Sequence, residues 1–115
     1  MPQREPARQP EDLDRFFLER ANAGDLEGVV ALYEPAAVLS YPPDQLTVGH
    51  ENIRRVYAPL LAAKIKFQGE VRPAIRNGDL ALTSTSLPGN NATVEVARRQ
   101  SDGTWLWAID QPKVL

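Results

Sequence analysis

The chain contains no cysteine and a single histidine, His50. The first absence removes disulfides, thiol nucleophiles and thiolate metal sites together. The second rules out any ligand set that needs two imidazoles. No apolar run approaches the ~20 residues needed to span a bilayer, and no secretory-type apolar stretch stands near the N-terminus. A cytoplasmic protein with no membrane partner is therefore expected. Lys and Arg number 13 against 15 acidic residues, a net charge of −2, and they form no cluster, so the electrostatic footprint of a nucleic-acid binder is missing. Any acid–base chemistry must come from carboxylates, tyrosines, hydroxyls or water, and no metal or other cofactor is expected.

What is present describes one small domain: 115 residues, 43% hydrophobic and 24% charged, with no room for a second core. Residues 1–10, "MPQREPARQP", scatter three prolines among polar residues and read as a disordered tail, leaving 11–115 as the domain. Leu13, Phe16, Phe17 and Ala21 then recur at helical spacing. "NAGD" ends that stripe, with Gly24 as helix stop and Asp25 as the next N-cap. Leu26, Val29, Val30 and Tyr33 make a second short stripe, stopped by Pro35. "AAVLSYPP" reads as a strand closed by prolines. After Gly49 a third stripe carries Ile53, Val56, Tyr57, Leu60 and Leu61, with Pro59 inside it and expected to kink it.

From Lys64 onward alternation replaces helical spacing. "KIKFQGEVRPAIR", "DLALTSTSL", "ATVEVARRQ" and "TWLWAIDQ" read as four strands, separated by the turn signals "NGD", "PGNN" and "SDG". Helices followed by an antiparallel meander imply an α+β domain whose helices cover one face of a curved sheet.

The last hairpin carries the best lead to function. A two-residue Asp102-Gly103 turn sets Ser101 opposite Thr104, Ala97 opposite Ala108 and Glu95 opposite Asp110, all on one face, with Trp105, Trp107 and Ile109 on the other. Two opposed carboxyls about 5 Å apart in a dry site cannot both stay ionised cheaply, so one should hold a proton at neutral pH. A three-residue turn with a bulge at Gly103 instead sends the two acids to opposite faces. Turn chemistry alone leaves both registers open.

"ANAGDLEGVVALYEPAAVLSYP", the "GHENIRRVYAPL" helix and the final "DGTWLWAIDQP" resemble the nuclear transport factor 2-like superfamily. That group includes SnoaL-like polyketide cyclases and ketosteroid isomerases, and the likeness is greatest to its uncharacterised bacterial members. The resemblance implies a cone-shaped curved antiparallel sheet wrapped by three N-terminal helices, a cystatin-like α+β barrel with a pocket inside. It implies that Glu95 and Asp110 face that pocket as catalytic acids. Phe17, Tyr33, Tyr41, Tyr57, Leu82, Ser84 and Ala108 would contact substrate, with Leu80, Leu82, Ser84 and Ser86 facing inward. Against the isomerase pattern, Phe17 stands where an oxyanion-binding tyrosine would be and Tyr41 where a proton-shuttling aspartate would be. Steroid isomerisation is therefore not expected: Phe17 has no hydroxyl and Tyr41 is too weak a base.

The function so read is a small-molecule pocket, acting by cofactor-free acid–base chemistry on a small apolar carbonyl or hydroxylated compound. The alternatives are a non-catalytic module for a small hydrophobic ligand, or a dimeric scaffold with a filled cone. Trp105 and Trp107, placed on the outer face by the first register, point to a homodimer packed sheet to sheet. His50, just after Gly49, reads as a first-turn surface residue.

Overall fold

A computed structural model of the chain describes residues 4–114. Helix α1 (Pro10–Asn22) opens with proline in its first turn, where a missing N–H costs nothing. Asp12 accepts the Gln9 backbone N–H at 3.1 Å and closes a capping box. Helix α2 (Leu26–Val30) is capped by Asp25, whose side chain accepts from the Gly28 N–H. There follow β1 (Tyr33–Leu39), β2 (Thr47–Val48), α3 (His50–Ala62), β3 (Glu70–Val71) and β4 (Ile75–Asn77). The chain ends through β5 (Leu80–Thr83), β6 (Thr85–Leu87), β7 (Asn91–Arg99) and β8 (Trp105–Val114).

The strands form one mixed, unclosed sheet in the order β2-β1-β8-β7-β5-β4, with β6 bridging β7 to β3. β1 runs parallel to β8, and every other pairing is antiparallel. Leu13, Phe16, Val29, Tyr33, Leu39, Ile53, Trp105 and Trp107 form the buried core between sheet and helices. The α+β class and the cone-like sheet thus agree with the sequence reading, except that the meander is mixed rather than wholly antiparallel.

Several details differ. Residues 4–9 are not a loose tail: Ala7 is buried, its carbonyl accepts the Trp105 N–H at 2.9 Å, and Arg4 pairs with Asp25. Met1 to Gln3 lie outside the described residues. Tyr33 belongs to β1, not to the second helix. α3 runs on to Ala62 with Pro59 inside it, exposed on the outer side. Residues 64–69 form no strand.

The closing hairpin departs from both expected registers. Its turn is the three-residue kind: Gln100 N–H donates to Thr104 O at 2.7 Å, Gly103 N–H to Gln100 O at 2.9 Å, and Gly103 takes φ +85°. Arg99 therefore faces Trp105 and Ala97 faces Trp107. Left alone, that register would part Glu95 from Asp110. A second irregularity, between Val96 and Ala97, inserts Ala108 as an extra residue of β8 and restores the pairing of Val96 with Ile109 and Glu95 with Asp110. Trp107 and Ala108 are in consequence both buried, and Trp105, Trp107 and Asp110 all face inward. The expectation of outward-facing tryptophans is corrected by this one inserted residue.

Candidate functional site

The inner face of the sheet, α1, α3 and the 65–68 loop enclose a cavity of about 290 Å³. Its wall is mainly apolar and aromatic, with Phe17, Tyr57, Phe67 and Trp107 contributing rings. Phe17 meets Tyr57 and Phe67 edge to face at centroid distances of 5.7 and 5.3 Å, which fixes the cluster. Three carboxyls enter this apolar space: Asp14 from α1, Glu95 from β7 and Asp110 from β8. Among the described residues no Lys, Arg or His lines it.

Each strand acid ends a short hydrogen-bond relay. Trp107 Nε1–H donates to Thr83 Oγ1 at 3.1 Å, and the Thr83 hydroxyl donates to Glu95 Oε1 at 2.6 Å. On the other side Tyr33 donates to Asp110 Oδ2 at 2.5 Å, so the Tyr57 hydroxyl, 3.0 Å from that of Tyr33, donates to Tyr33. These relays hold the two carboxyls in single orientations. Asp14 differs: it is 3% exposed, and its Oδ2 has no hydrogen-bond partner.

Burial dominates the titration of all three, because a charged carboxylate loses its water there. Glu95 is pushed up to about 9, by burial and then by the neighbouring Asp14. Asp110 rises to about 8 through burial and the charge of Glu95, against the opposing pull of the Tyr33 hydroxyl. Asp14 rises only to about 6, since Glu95, Thr85 and the Ser84 backbone partly offset its burial. All three carboxyls are thus raised above their ordinary range, Asp14 the least. Burial, followed by the Asp110 charge, also lifts Tyr33 and Tyr57 well above the ordinary phenol value, so both stay neutral donors.

Of the residues named from the sequence, Glu95, Asp110, Phe17, Tyr41 and Tyr57 line the cavity. Tyr33 is fully buried behind it and acts on Asp110. Leu82 does not belong: β5 buries Ala81 and Thr83, leaving Leu80 and Leu82 45% and 40% exposed on the outer side. The inward expectation for "LTSTS" is reversed, for Thr83 and Thr85 are the buried pair and Ser86 is exposed. Ser84 sits at the break between β5 and β6, away from the lining, and Ala108 is buried in the bulge without reaching the cavity. His50 Nε2 lies 2.7 Å from the Tyr33 carbonyl and donates to it, a structural tie outside the site.

Asp14 was missed, although the signal was available. It stands inside the apolar stripe, directly after Leu13 and one turn before Phe17 and Leu18. An acid on the core side of an amphipathic helix is the exception that needs an explanation.

A family model, the SnoaL-like domain, matches residues 13–114. The chain belongs to that family. Among curated proteins none matches it. A ketosteroid isomerase-like protein from Erwinia carotovora atroseptica is similar in structure, with a TM-score of 0.71 at 20% identity over 87% of this chain and 88% of the other. An NTF2-like family protein from Streptomyces avermitilis, whose proposed activity is that of a dehydratase, gives 0.68 at 18% identity over 85% and 88%. An NTF2-like protein with a cystatin-like fold from Novosphingobium aromaticivorans gives 0.67 at 17% over 87% and 75%. At these identities the likeness is one of fold. Among the described residues no helix is long and apolar enough to cross a membrane.

Proposed function

We propose that this SnoaL-like protein is a cofactor-free proton-transfer catalyst, of isomerase or dehydratase type, for a small and largely apolar compound bearing a carbonyl or hydroxyl group. The observation that carries the reading is three buried carboxyls around one aromatic-walled cavity, with no basic side chain among the described residues lining it. Carboxyls raised to different degrees divide the labour of acid and base. Asp14, which lines the cavity and is the carboxyl raised least, takes a proton from the ligand. Glu95, held neutral, gives a proton to a developing oxyanion or a departing hydroxyl. Asp110, tied to Tyr33 and Tyr57, supplies a second neutral donor. The neighbouring Asp14 and Glu95 can then exchange a proton and reset the site.

The test is solvent deuterium exchange into a panel of small cyclic ketones and enones, followed by NMR. Asp14→Asn is expected to slow exchange by ~10²-fold or more, the usual contribution of a positioned base. Equal exchange by the variant would remove the catalytic reading. A second reading, a binding module, is favoured by Phe17, which brings no hydroxyl to the cavity. It predicts tight binding by tryptophan fluorescence with no exchange at all.

The outer face suggests its own partner, a second copy of the chain. Ile75, Leu82, Val96, Ile109, Val38 and Val48 form one unbroken cross-strand row over six strands. Ile75, Ile109 and Val48 are 70%, 52% and 50% exposed. A row without an acid or base along it is self-complementary about a two-fold axis. The proposed homodimer therefore keeps the sheet-to-sheet packing expected from the sequence but replaces Trp105 and Trp107 with this row.

A further inference from the structure

The cavity contains three carboxyls and, among the described residues, no basic side chain to balance a charge on them. Asp14 is the carboxyl with the lowest titration of the three, its Oδ2 is buried without a donor, and no basic side chain among the described residues lines the space. A carboxylate oxygen left so is expensive, because it has lost its water and gained no hydrogen bond. The same cavity is walled by the rings of Phe17, Tyr57, Phe67 and Trp107, whose π-systems attract positive charge. An unpaired carboxylate in an aromatic-walled cavity is the chemical complement of an ammonium group, and it repels carboxylates and phosphates.

We propose that the ligand of this cavity is a small protonated amine, its ammonium paired with the Asp14 carboxylate and its apolar body lying against Phe17, Phe67 and Trp107. The size is right for a compact molecule: about 290 Å³ holds the equivalent of about ten waters at ~30 Å³ each. This inference rests on the reading of Asp14 as the ionised, ligand-facing carboxyl and names what faces it.

The cation should also reset the titrations. The groups that would feel it are Asp14 on α1, Glu95 on β7, Asp110 on β8, Tyr57 on α3, Tyr33 on β1 and Tyr41 just beyond β1, with Thr85 and Thr93 as neutral hydroxyls. A positive charge among them favours the ionised carboxyls, so the amine binds with release of protons.

The experiment is calorimetric titration of the full-length protein with benzylamine, its neutral near-isostere benzyl alcohol, and benzoate. It is run at about pH 7.5 and about pH 5, in buffers of different ionisation enthalpy. At the higher pH benzylamine should bind about tenfold or more tighter than benzyl alcohol, with proton release, and benzoate should not bind. At the lower pH, with Asp14 protonated, the preference should shrink. Asp14→Asn should abolish the preference of amine over alcohol while near-ultraviolet circular dichroism stays native, and Glu95→Gln should retain it. Benzyl alcohol binding as well as benzylamine, or no binding by either, overturns the proposal. In the first of these cases the catalytic reading survives if deuterium exchange still depends on Asp14.

Discussion

Asp14, Glu95 and Asp110 are chemically ordinary carboxylic acids made different by where the chain puts them. Two have their oxygens engaged by hydroxyl relays, and the third does not. Thr83 is the smallest part on which this depends, since it accepts from Trp107 and donates to Glu95 at once. Thr83→Val keeps the shape and leaves both an indole N–H and a carboxyl oxygen without partners. It should cost about 1–3 kcal/mol, measured by urea denaturation. Because the Thr83 hydroxyl lowers the Glu95 titration, its loss should move Glu95 further above about 9. A variant as stable as the parent, with Glu95 unmoved, would contradict the relay.

Among the elements, β8 decides the site, and Ala108 decides β8. Strand side chains alternate, so Trp105 and Trp107 could not share a face with Asp110 without one extra residue between them. Deleting Ala108 should force either the tryptophans or Asp110 to the outside. The expected loss is about 3 kcal/mol or more, the scale of removing a large aromatic from a core, together with the near-ultraviolet tryptophan signal. A deletion variant with native stability and signal would show that the bulge is dispensable. This residue also marks the limit of what the sequence reveals. The helices were legible because Leu13, Ile53, Tyr57 and their partners repeat at a spacing only a helix aligns. The turn was legible as one of two kinds from Asp102 and Gly103. An alanine inserted in a strand carries no local signal, and the face on which "LTSTS" turns inward depended on pairing with β7, which no short stretch encodes. Glu95 pairs with Asp110 as the two-residue turn and the family resemblance implied, yet the tryptophans lie inside, because the three-residue turn and the bulge at Ala108 offset each other beyond Val96.

For the molecule as a whole, the buried acids set the pH response. Each has a folded titration raised above its unfolded value, so between the two the unfolded chain releases a proton that the native state keeps. Stability is fullest, as far as these groups matter, below about pH 4 and falls as pH rises toward about 9, where Glu95 ionises. The slope is up to about 1.4 kcal/mol per pH unit for each retained proton. The surface acids Asp12, Asp25 and Glu27 are lowered instead, and their contribution is complete by about pH 5. Urea midpoints should therefore decline from about pH 5 to about pH 9, and Glu95→Gln should flatten the decline. A midpoint that rises or holds steady would contradict it. The outer face makes a separate prediction: the chain should sediment as a dimer at micromolar concentration, and Leu82→Lys with Ile109→Lys should yield a folded monomer. A parent chain that sediments as a monomer would refute the sheet-to-sheet partner.

At neutral pH the one apolar cavity should keep two of its acids protonated and one ionised. Carbon-13 NMR of the side-chain carboxyls, followed from acid to alkali, reads this directly. Asp14 should titrate at about 6, Asp110 at about 8 and Glu95 at about 9. Three carboxyls all titrating near the free value of about 4 would mean that water reaches them, and the acid–base site described here would not exist.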